Sequence, residues 1–359
     1  MRTRRNVLGR VLGMLLLLVM VVLIGGIALV GWLSLTEYKP ADVEAVAVTA
    51  GARHQETEIG KLYKIVTLNV GYGGLGYQQD FFMDGGKGVL PKDKAEVSAN
   101  LSGLLSALSL QNADICLLQE VDLDSNRSYW IDQREHFSRG LMMGSAFAYN
   151  YNCAFVPFPW PPIGKVESGL LTLNNLAVSE ATRESLPVPF SWPIRVANLK
   201  RCLLVERMPI AGSEKELVLV NLHLEAYSSQ EGRQAQMEQL TQLMRVEAAK
   251  GNYVIAGGDF NQAFPGTVEK YPIPADADWL PGQLVQSDLP EGYAFAYDLN
   301  VPTCRSLQTP YHGERSELVV YVIDGFIVSD NVKVKSVETY DLNFRNSDHQ
   351  PVVMEFTLQ

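Results

Sequence analysis

The chain is poor in the residues that staple small or redox-active proteins together. Its 359 residues include four cysteines, Cys116, Cys153, Cys202 and Cys304. They are widely spaced and form no C-x-x-C pair, which argues against a zinc site. Cys116 lies inside the apolar run "DICLLQE" and reads as a buried free thiol; nothing chooses a disulfide pair among the other three. Internal repeats are absent. After Lys61 no proline- or glycine-rich linker divides the chain, so roughly 300 residues read as one large domain. Acid is missing from the N-terminus, where Glu37 is the first carboxylate.

The first ten residues carry Arg2, Arg4, Arg5 and Arg10, and Val11 to Thr36 then passes without a charge. A helix of that length, rising 1.5 Å per residue, covers a hydrocarbon core about 30 Å thick. Trp32 near its far end suits a membrane interface, and the arginines belong on the cytoplasmic side. A cleaved signal peptide has an apolar stretch of about 7–15 residues and a small-residue cleavage site. This stretch is longer, and "VGWLSLTEY" offers no such site. Residues 1–36 are therefore expected to be a cytoplasmic basic stub and a single-pass transmembrane anchor at the cell membrane. Residues 37–60, polar and weakly periodic, are expected to be a stalk. Residues 61–359 are expected to form the extracytoplasmic domain.

Setting the anchor aside sharpens the charge. All 40 acids lie beyond residue 36 with 26 of the 30 lysines and arginines, so that part carries about −14. Non-specific nucleic-acid binding rests on many Lys and Arg contacts, which an acidic domain supplies poorly. This argues against a processive nuclease without excluding nuclease chemistry. Arg195, Lys200, Arg201 and Arg207 form a short basic group, more simply read as strand-edge residues.

Strand-like and helical patterns alternate along the domain. "KLYKIVTLNV" (61–70) reads as a strand. Asp93 and Glu96 then form a capping-box pattern ahead of Val97, Leu101, Leu104, Leu105 and Leu108, one apolar face at helical spacing. "ADICLLQEV" (113–121) is a continuous apolar run suited to a strand buried on both faces. Further strands read at "SGLLTL", "RCLLVERM", "ELVLVNLHL" and "YVIAGGDF". Ser228 and Glu231 are expected to cap a second helix carrying Met237, Leu240, Leu243 and Met244, closed by Gly251. Many strands and two main helices point to sheets packed together with helices outside.

Each buried strand ends in a polar group that burial does not explain. These are Asn69, Gln119 and Glu120, Asn221 and His223, Asp259 and Asn261, Asp324, and the adjacent Asp348 and His349. Singly, each has a plain alternative as a turn residue, a solvated strand end or a satisfied histidine. Ionised acids are costly to bury unless paired or metal-bound. If the strand ends meet, they offer four carboxylates, two histidines and several amides, a donor set suited to a hard divalent cation.

The stretches "TLNV", "LLQEV", "LVNLHL", "GGDFNQ", "PTCR", "VIDGFIVS" and "NSDHQPV" resemble, in order, the motifs of the endonuclease/exonuclease/phosphatase superfamily, which includes deoxyribonucleases, apurinic endonucleases and neutral sphingomyelinases. The resemblance spans residues 61 to 359. It implies an α+β fold of two packed β-sheets flanked by helices, a four-layer α/β/β/α sandwich. It also implies a Mg²⁺-dependent phosphoric ester hydrolase, with Mn²⁺ as a substitute, in which metal-activated water attacks a phosphodiester. The implied metal residues are Glu120, Asn69 and Asp348. The implied catalytic residues are Asp259, which orients or deprotonates water, Asn261, which donates to developing charge, His223 and His349 at the phosphate, and Asp324 behind His349. Thr303 and Arg305 would support the site from behind.

One departure concerns Gly71, which stands where many nucleases of the superfamily have an aspartate. "DGGKG" (Asp84–Gly88) reads as part of a loop over the site; it lacks P-loop spacing, and Lys87 is its candidate for a phosphate contact. "FVPFPWPPIGK" (Phe155–Lys165) reads either as a packed proline-rich connection or as an aromatic lip that touches lipid. The expected substrate is a phosphoester in a lipid headgroup, a nucleic acid or a small phosphorylated molecule, and the protein is expected to be a monomer. The rival expectation is a catalytically inactive tethered binding protein of the same fold.

Overall fold

The computed structural model describes residues 2–275, 277–315 and 318–359. Helix α1 (Arg2–Leu35) comes first. The strands then run β1 (Val43–Ala45), β2 (Val48–Thr49), β3 (Tyr63–Asn69), β4 (Ile115–Asp122), β5 (Gly144–Val156), β6 (Gly164–Asn174), β7 (Glu180–Ser185), β8 (Cys202–Pro209), β9 (Glu216–His223) and β10 (Tyr253–Asp259). Two short pairs interleave with the rest: β11 (Gln262–Ala263), β12 (Gly282–Gln283), β13 (Tyr293–Ala296), β14 (Cys304–Arg305), β15 (Val320–Tyr321), β16 (Asp324–Ser329), β17 (Val332–Thr339) and β18 (Val352–Leu358). Helices α2 (Lys94–Gln111), α3 (Gln133–Leu141) and α4 (Gln230–Lys250) sit between β3 and β4, β4 and β5, and β9 and β10.

Two seven-stranded sheets result, one ordered β1-β7-β8-β9-β10-β16-β13 and the other β17-β18-β3-β4-β6-β5-β2. Their facing surfaces bury Ile65, Ile115, Leu117, Leu219, Ile255, Phe326 and Met354 in one core. Helix α2 lays Val97, Leu101, Leu104 and Leu108 on the outer face of the second sheet, against Val66, Leu68, Cys116 and Leu118. Helix α4 lays Met237, Leu240 and Met244 on the outer face of the first, against Val218, Val220 and Val254. Each such leucine contributes about 1.5–3 kcal/mol by leaving water. This is the expected four-layer sandwich.

Capping follows local chemistry. The Asp93 side chain accepts the Glu96 N–H at the start of α2, as its capping pattern requires. Helix α4 starts one residue later than expected, because Ser229 rather than Ser228 accepts the Gly232 N–H. It ends at Gly251, whose φ of 72° lets its N–H close onto the last turn. Helix α3, capped by Asp132, carries no periodic signal in the sequence, because its nine residues bury little besides Phe137 and Gln133.

Residues 37–60 differ from the expected stalk. Strand β1 pairs with β7 and β2 with β5, one at the edge of each sheet. Gln55 and Thr57 make further bridges to Leu176 and Ile210. The reason is backbone chemistry: exposed sheet edges present unpaired N–H and C=O groups that any extended segment can satisfy, and side-chain periodicity does not report this. All four cysteines are buried and free. Within α1, Gly9–Leu35 is 27 residues with mean hydropathy 2.9, long and apolar enough to cross a membrane.

Glu206 stands apart in this interior. Fully buried on β8, it accepts from Asn174 Nδ2 at 2.8 Å through one oxygen, while the other has no partner. Burial pushes its carboxyl up to about 8. Between the unfolded value and pH 8 the folded state holds a proton that the unfolded state has released, so stability is full at low pH and falls as pH rises. The loss is about 1.4 kcal/mol per pH unit at most. Glu206→Gln is expected to remove this slope. Its melting temperature relative to wild type should rise steadily from pH 5 to pH 8 in thermal unfolding. A constant difference would contradict the assignment.

Candidate functional site

Topology gathers the polar strand ends. Strands β3 and β4 are parallel and joined through α2, and β9 and β10 are parallel and joined through α4. Each pair therefore ends at the same edge. The register sets Asn69 opposite Gln119 and His223 opposite Asp259. Antiparallel β16 begins where β10 ends, which places Asp324 opposite Asp259. The segment after β17 returns Ser347, Asp348 and His349 to the same edge, where Cys304 bridges His349.

Asp259 is the meeting point, almost wholly buried. Its Oδ2 accepts from Asn69 Nδ2 at 3.0 Å, across from the other sheet, and its Oδ1 accepts the Asn261 N–H at 2.9 Å. His223 Nε2 lies 3.5 Å from Oδ2 and His349 Nε2 3.7 Å. The His349 Nδ1 is 2.9 Å from Asp324 Oδ2, which fixes the tautomer and leaves Nε2 facing the centre. Asn69 reaches Glu120 Oε1 as well, at 3.2 Å. Its own oxygen accepts the Gly71 N–H, so the amide nitrogen, not the oxygen, faces the carboxylates. Asn69 is thus arranged as a donor between two acids, unlike the oxygen ligand expected from its position.

Glu120 reaches the site through a bulge. The pairing of β4 with β6 slips between Leu118 and Val121, and Glu120 adopts φ +53°. Such bulges re-aim a side chain beside functional sites. It is half-buried, whereas Asp259, Asp324 and Asp348 are buried. At Gly71, φ is +50°, and a Cβ there would stand 3.0 Å from Asp348 Oδ1. A side chain at this position would crowd Asp348, Leu75 and Ser347 and would need a positive φ.

The electrostatics follow from burial. Burial pushes Asp259 up to about 7, against the pull of His349 and with Asp324 adding to the rise. Burial also raises Asp348 to about 6, opposed by His349 and reinforced by Glu120. For His349, burial favours the neutral ring, but the Asp324 carboxylate, with Asp348 and Asp259, carries it well above the usual value. His223 is held well below the usual value by burial and by the Arg201 and His349 charges.

These acids fit a divalent cation. Asp259, Asp324 and His349 offer ligand atoms within 4.8 Å of one another, as do Cys304, Asp348 and His349. Cys304 is a poor donor, since burial pushes its thiol up to about 12, whereas Asp324 gives Oδ2 to His349 and keeps Oδ1 without a partner among the described residues. With Asp348, Glu120 and Asp259 the carboxylates form the hard oxygen set that Mg²⁺ or Mn²⁺ prefers. Two buried acids raised this far are a charge deficit that a dication relieves.

The surrounding residues hold the frame. Thr303 Oγ1 accepts the N–H groups of Ile323 and Asp324, at 3.0 and 3.1 Å, fixing the start of β16. The Arg305 guanidinium donates to the Gly76 and Gln79 carbonyls. Ser347, passed over in the sequence, donates to the Asn69 carbonyl and accepts the His349 N–H. Arg201 donates to the His223 carbonyl and pairs with Glu225. Gln119 and Asn221 bond to each other at 2.8 Å beneath the site, joining the two sheets. Asn261 donates one amide hydrogen to the Leu224 carbonyl. In the "DGGKG" loop, Asp80 accepts the Lys87 and Gly88 N–H groups, so the donors that would cradle a phosphate are already used. The loop instead contributes Asp84, which accepts from the Tyr227 hydroxyl at 2.9 Å.

The sequence profile of the Endonuclease/Exonuclease/phosphatase family matches residues 66–349. The chain belongs to this family. Its members hydrolyse phosphoesters and depend on divalent metals. No curated protein sequence matches the chain. Among solved structures, it is similar to an endonuclease/exonuclease/phosphatase from Beutenbergia cavernae, at 17% identity over 83% of this chain and 72% of that one, with a TM-score of 0.58. A protein described in the same words from Bacteroides vulgatus gives 16% identity, 83% and 100% coverage, and 0.52. The D. rerio TDP2 complexed with single-strand DNA product gives 16%, 83% and 99%, and 0.50. At these identities the likeness shows the fold.

Asp324 raises His349, so its removal must lower the imidazole pKa. In metal-free protein, Asp324→Asn is expected to bring His349 down toward the ordinary histidine value of about 6.5, read by NMR of the labelled ring. An unchanged titration would contradict the pairing.

Proposed function

We propose that the protein is a membrane-anchored, extracytoplasmic, Mg²⁺-dependent phosphodiesterase, with residues 1–36 as stub and anchor and the domain that follows as the catalytic unit. The observation that carries this reading is the convergence of Asn69, Glu120, His223, Asp259, Asp324 and His349, drawn from separate strands, on one carboxylate. A scaffold that only bound a partner would have no use for two buried acids and two imidazoles at that point.

The chain's residues divide the work by charge. Asp259, poised near neutrality, orients and accepts a proton from the attacking water. Asn69 holds Asp259 and Glu120 in fixed relation. Glu120 and Asp348 are the residues that would hold the metal, which when bound supplies Lewis-acid stabilisation of the phosphoryl oxygens. His349, kept protonated by Asp324, donates to a phosphate oxygen. The second amide hydrogen of Asn261 donates to developing negative charge. His223, neutral at ordinary pH, is placed to share the proton of the attacking or leaving oxygen. The acidic surface and the apolar N-terminal helix favour a lipid headgroup or small phosphorylated molecule. The DNA product held by the similar D. rerio structure keeps nucleic acid among the substrates to be assayed.

Hydrolysis of bis(p-nitrophenyl) phosphate, DNA, sphingomyelin, phosphatidylinositol phosphates and nucleotides by one preparation tests the reading. Turnover is expected with Mg²⁺, loss with EDTA, and recovery when Mg²⁺ is restored. Asp259→Asn should lower the rate by on the order of 10²–10⁴ with little change in melting temperature. A panel without metal-dependent turnover would favour the inactive binder, and a collapse in melting temperature would make Asp259 structural.

A further inference from the structure

The end of α1 is seated on the domain rather than hanging from it. Leu29 and Leu33 pack against Cys153, Val156, Val166 and Val196, and Leu33 is buried. The Trp192 indole N–H donates to Ser34 Oγ at 3.0 Å. Just past the helix, Glu37 pairs with Arg195 at 3.0 Å and with Lys200 at 3.2 Å. The exit of the apolar helix therefore has a fixed place on the surface, beside the 155–165 and 187–199 loops.

Those loops expose large apolar side chains around that exit. Trp160 is 87% exposed, Phe158 71%, Ile194 64% and Trp192 61%. Large apolar side chains left exposed on two loops that both adjoin one helix end suit an interaction site, and tryptophan favours the layer where apolar and hydrated regions meet. The patch also runs toward the catalytic edge. Phe158 meets the Phe82 ring edge-on at 6.1 Å, and two residues further Asp84 accepts from Tyr227. Met83, between them, is exposed.

We infer that this lip, Phe158, Trp160, Trp192 and Ile194, rests in the headgroup layer of the membrane that holds the chain's own anchor. The 80–88 loop beside the site lies at that layer as well. The occupant is a lipid surface because the patch is continuous with the end of an apolar helix 27 residues long. With α1 across the bilayer, residues packed on its last turns are held at the interface. The inference rests on the anchor reading proposed above. It adds an orientation: the site addresses phosphoesters at the membrane surface rather than in bulk water.

Tryptophan emission of the full chain tests this in phosphatidylcholine vesicles, with and without bromine on the acyl chains near the headgroup. Bromine quenches only indoles in contact with lipid. Trp160→Phe with Trp192→Phe, both at exposed positions, is expected to remove about two-thirds of the bromine-dependent loss, with Trp32→Phe removing the rest, if interfacial tryptophans contribute equally. Adding Met83→Trp to the double variant should restore part of the loss, reporting the loop beside the site. Loss confined to Trp32→Phe would overturn the lip while leaving the anchor intact. An unquenched Met83→Trp would overturn the placement of the site. Absence of quenching in every form would overturn lip and anchor together.

Discussion

The structure turns on one carboxylate that both sheets share. Asp259 ends a strand of one sheet and accepts a hydrogen bond from Asn69 at the end of a strand in the other. That bond is possible because two parallel crossovers, through α2 and α4, bring four strand ends to the same edge. Without both crossovers the polar residues would scatter to opposite ends of the sandwich. Placing them together gathers acids that burial makes costly to ionise, and the cost appears directly in the raised Asp259 and Asp348.

That cost separates structural from chemical roles. Gln119 and Asn221, one layer deeper, satisfy each other and neighbouring carbonyls, and join the sheets. Asp324 meets His349 through Oδ2, which keeps a proton on the ring, while its Oδ1 is buried without a partner among the described residues. Glu120, Asp348 and Asp259 share neighbours instead of each having one partner. Their oxygens are held close by Asn69, Ser347 and the Asn261 backbone, and the His349 ring lies 3.7 Å from Asp259 Oδ2 and 3.9 Å from Asp348 Oδ2. Under the proposed function, such a site receives a dication and a phosphoryl group, both of which arrive from outside.

Much of this was legible in the sequence because burial and polarity conflict visibly. A strand such as "DICLLQE" that ends in Glu120, or "YVIAGGD" ending in Asp259, states both its burial and its exception. The motifs "GGDFN" and "NSDHQPV" then ordered these exceptions into a family. Features that rest on backbone alone were not legible. The strands at Val43–Ala45 and Val48–Thr49 pair with sheet edges through main-chain groups, so a polar composition suggested a stalk. The Asn69 amide orientation depends on the Gly71 N–H, and the occupied donors of the "DGGKG" loop depend on Asp80, contacts that no spacing reveals. The aromatic run at Phe155–Lys165 divides in the fold: Phe155 and Ile163 pack beside Leu33, whereas Phe158 and Trp160 stay exposed, a split that composition does not show.

The central claim is that Glu120 and Asp348, held around Asp259, form a divalent-cation site. Mn²⁺ titration of the purified full chain, followed by electron paramagnetic resonance, tests it without any substrate. Saturable binding that is lost in both Glu120→Gln and Asp348→Asn is the predicted result. Mn²⁺ binding that persists undiminished in both variants would contradict the account.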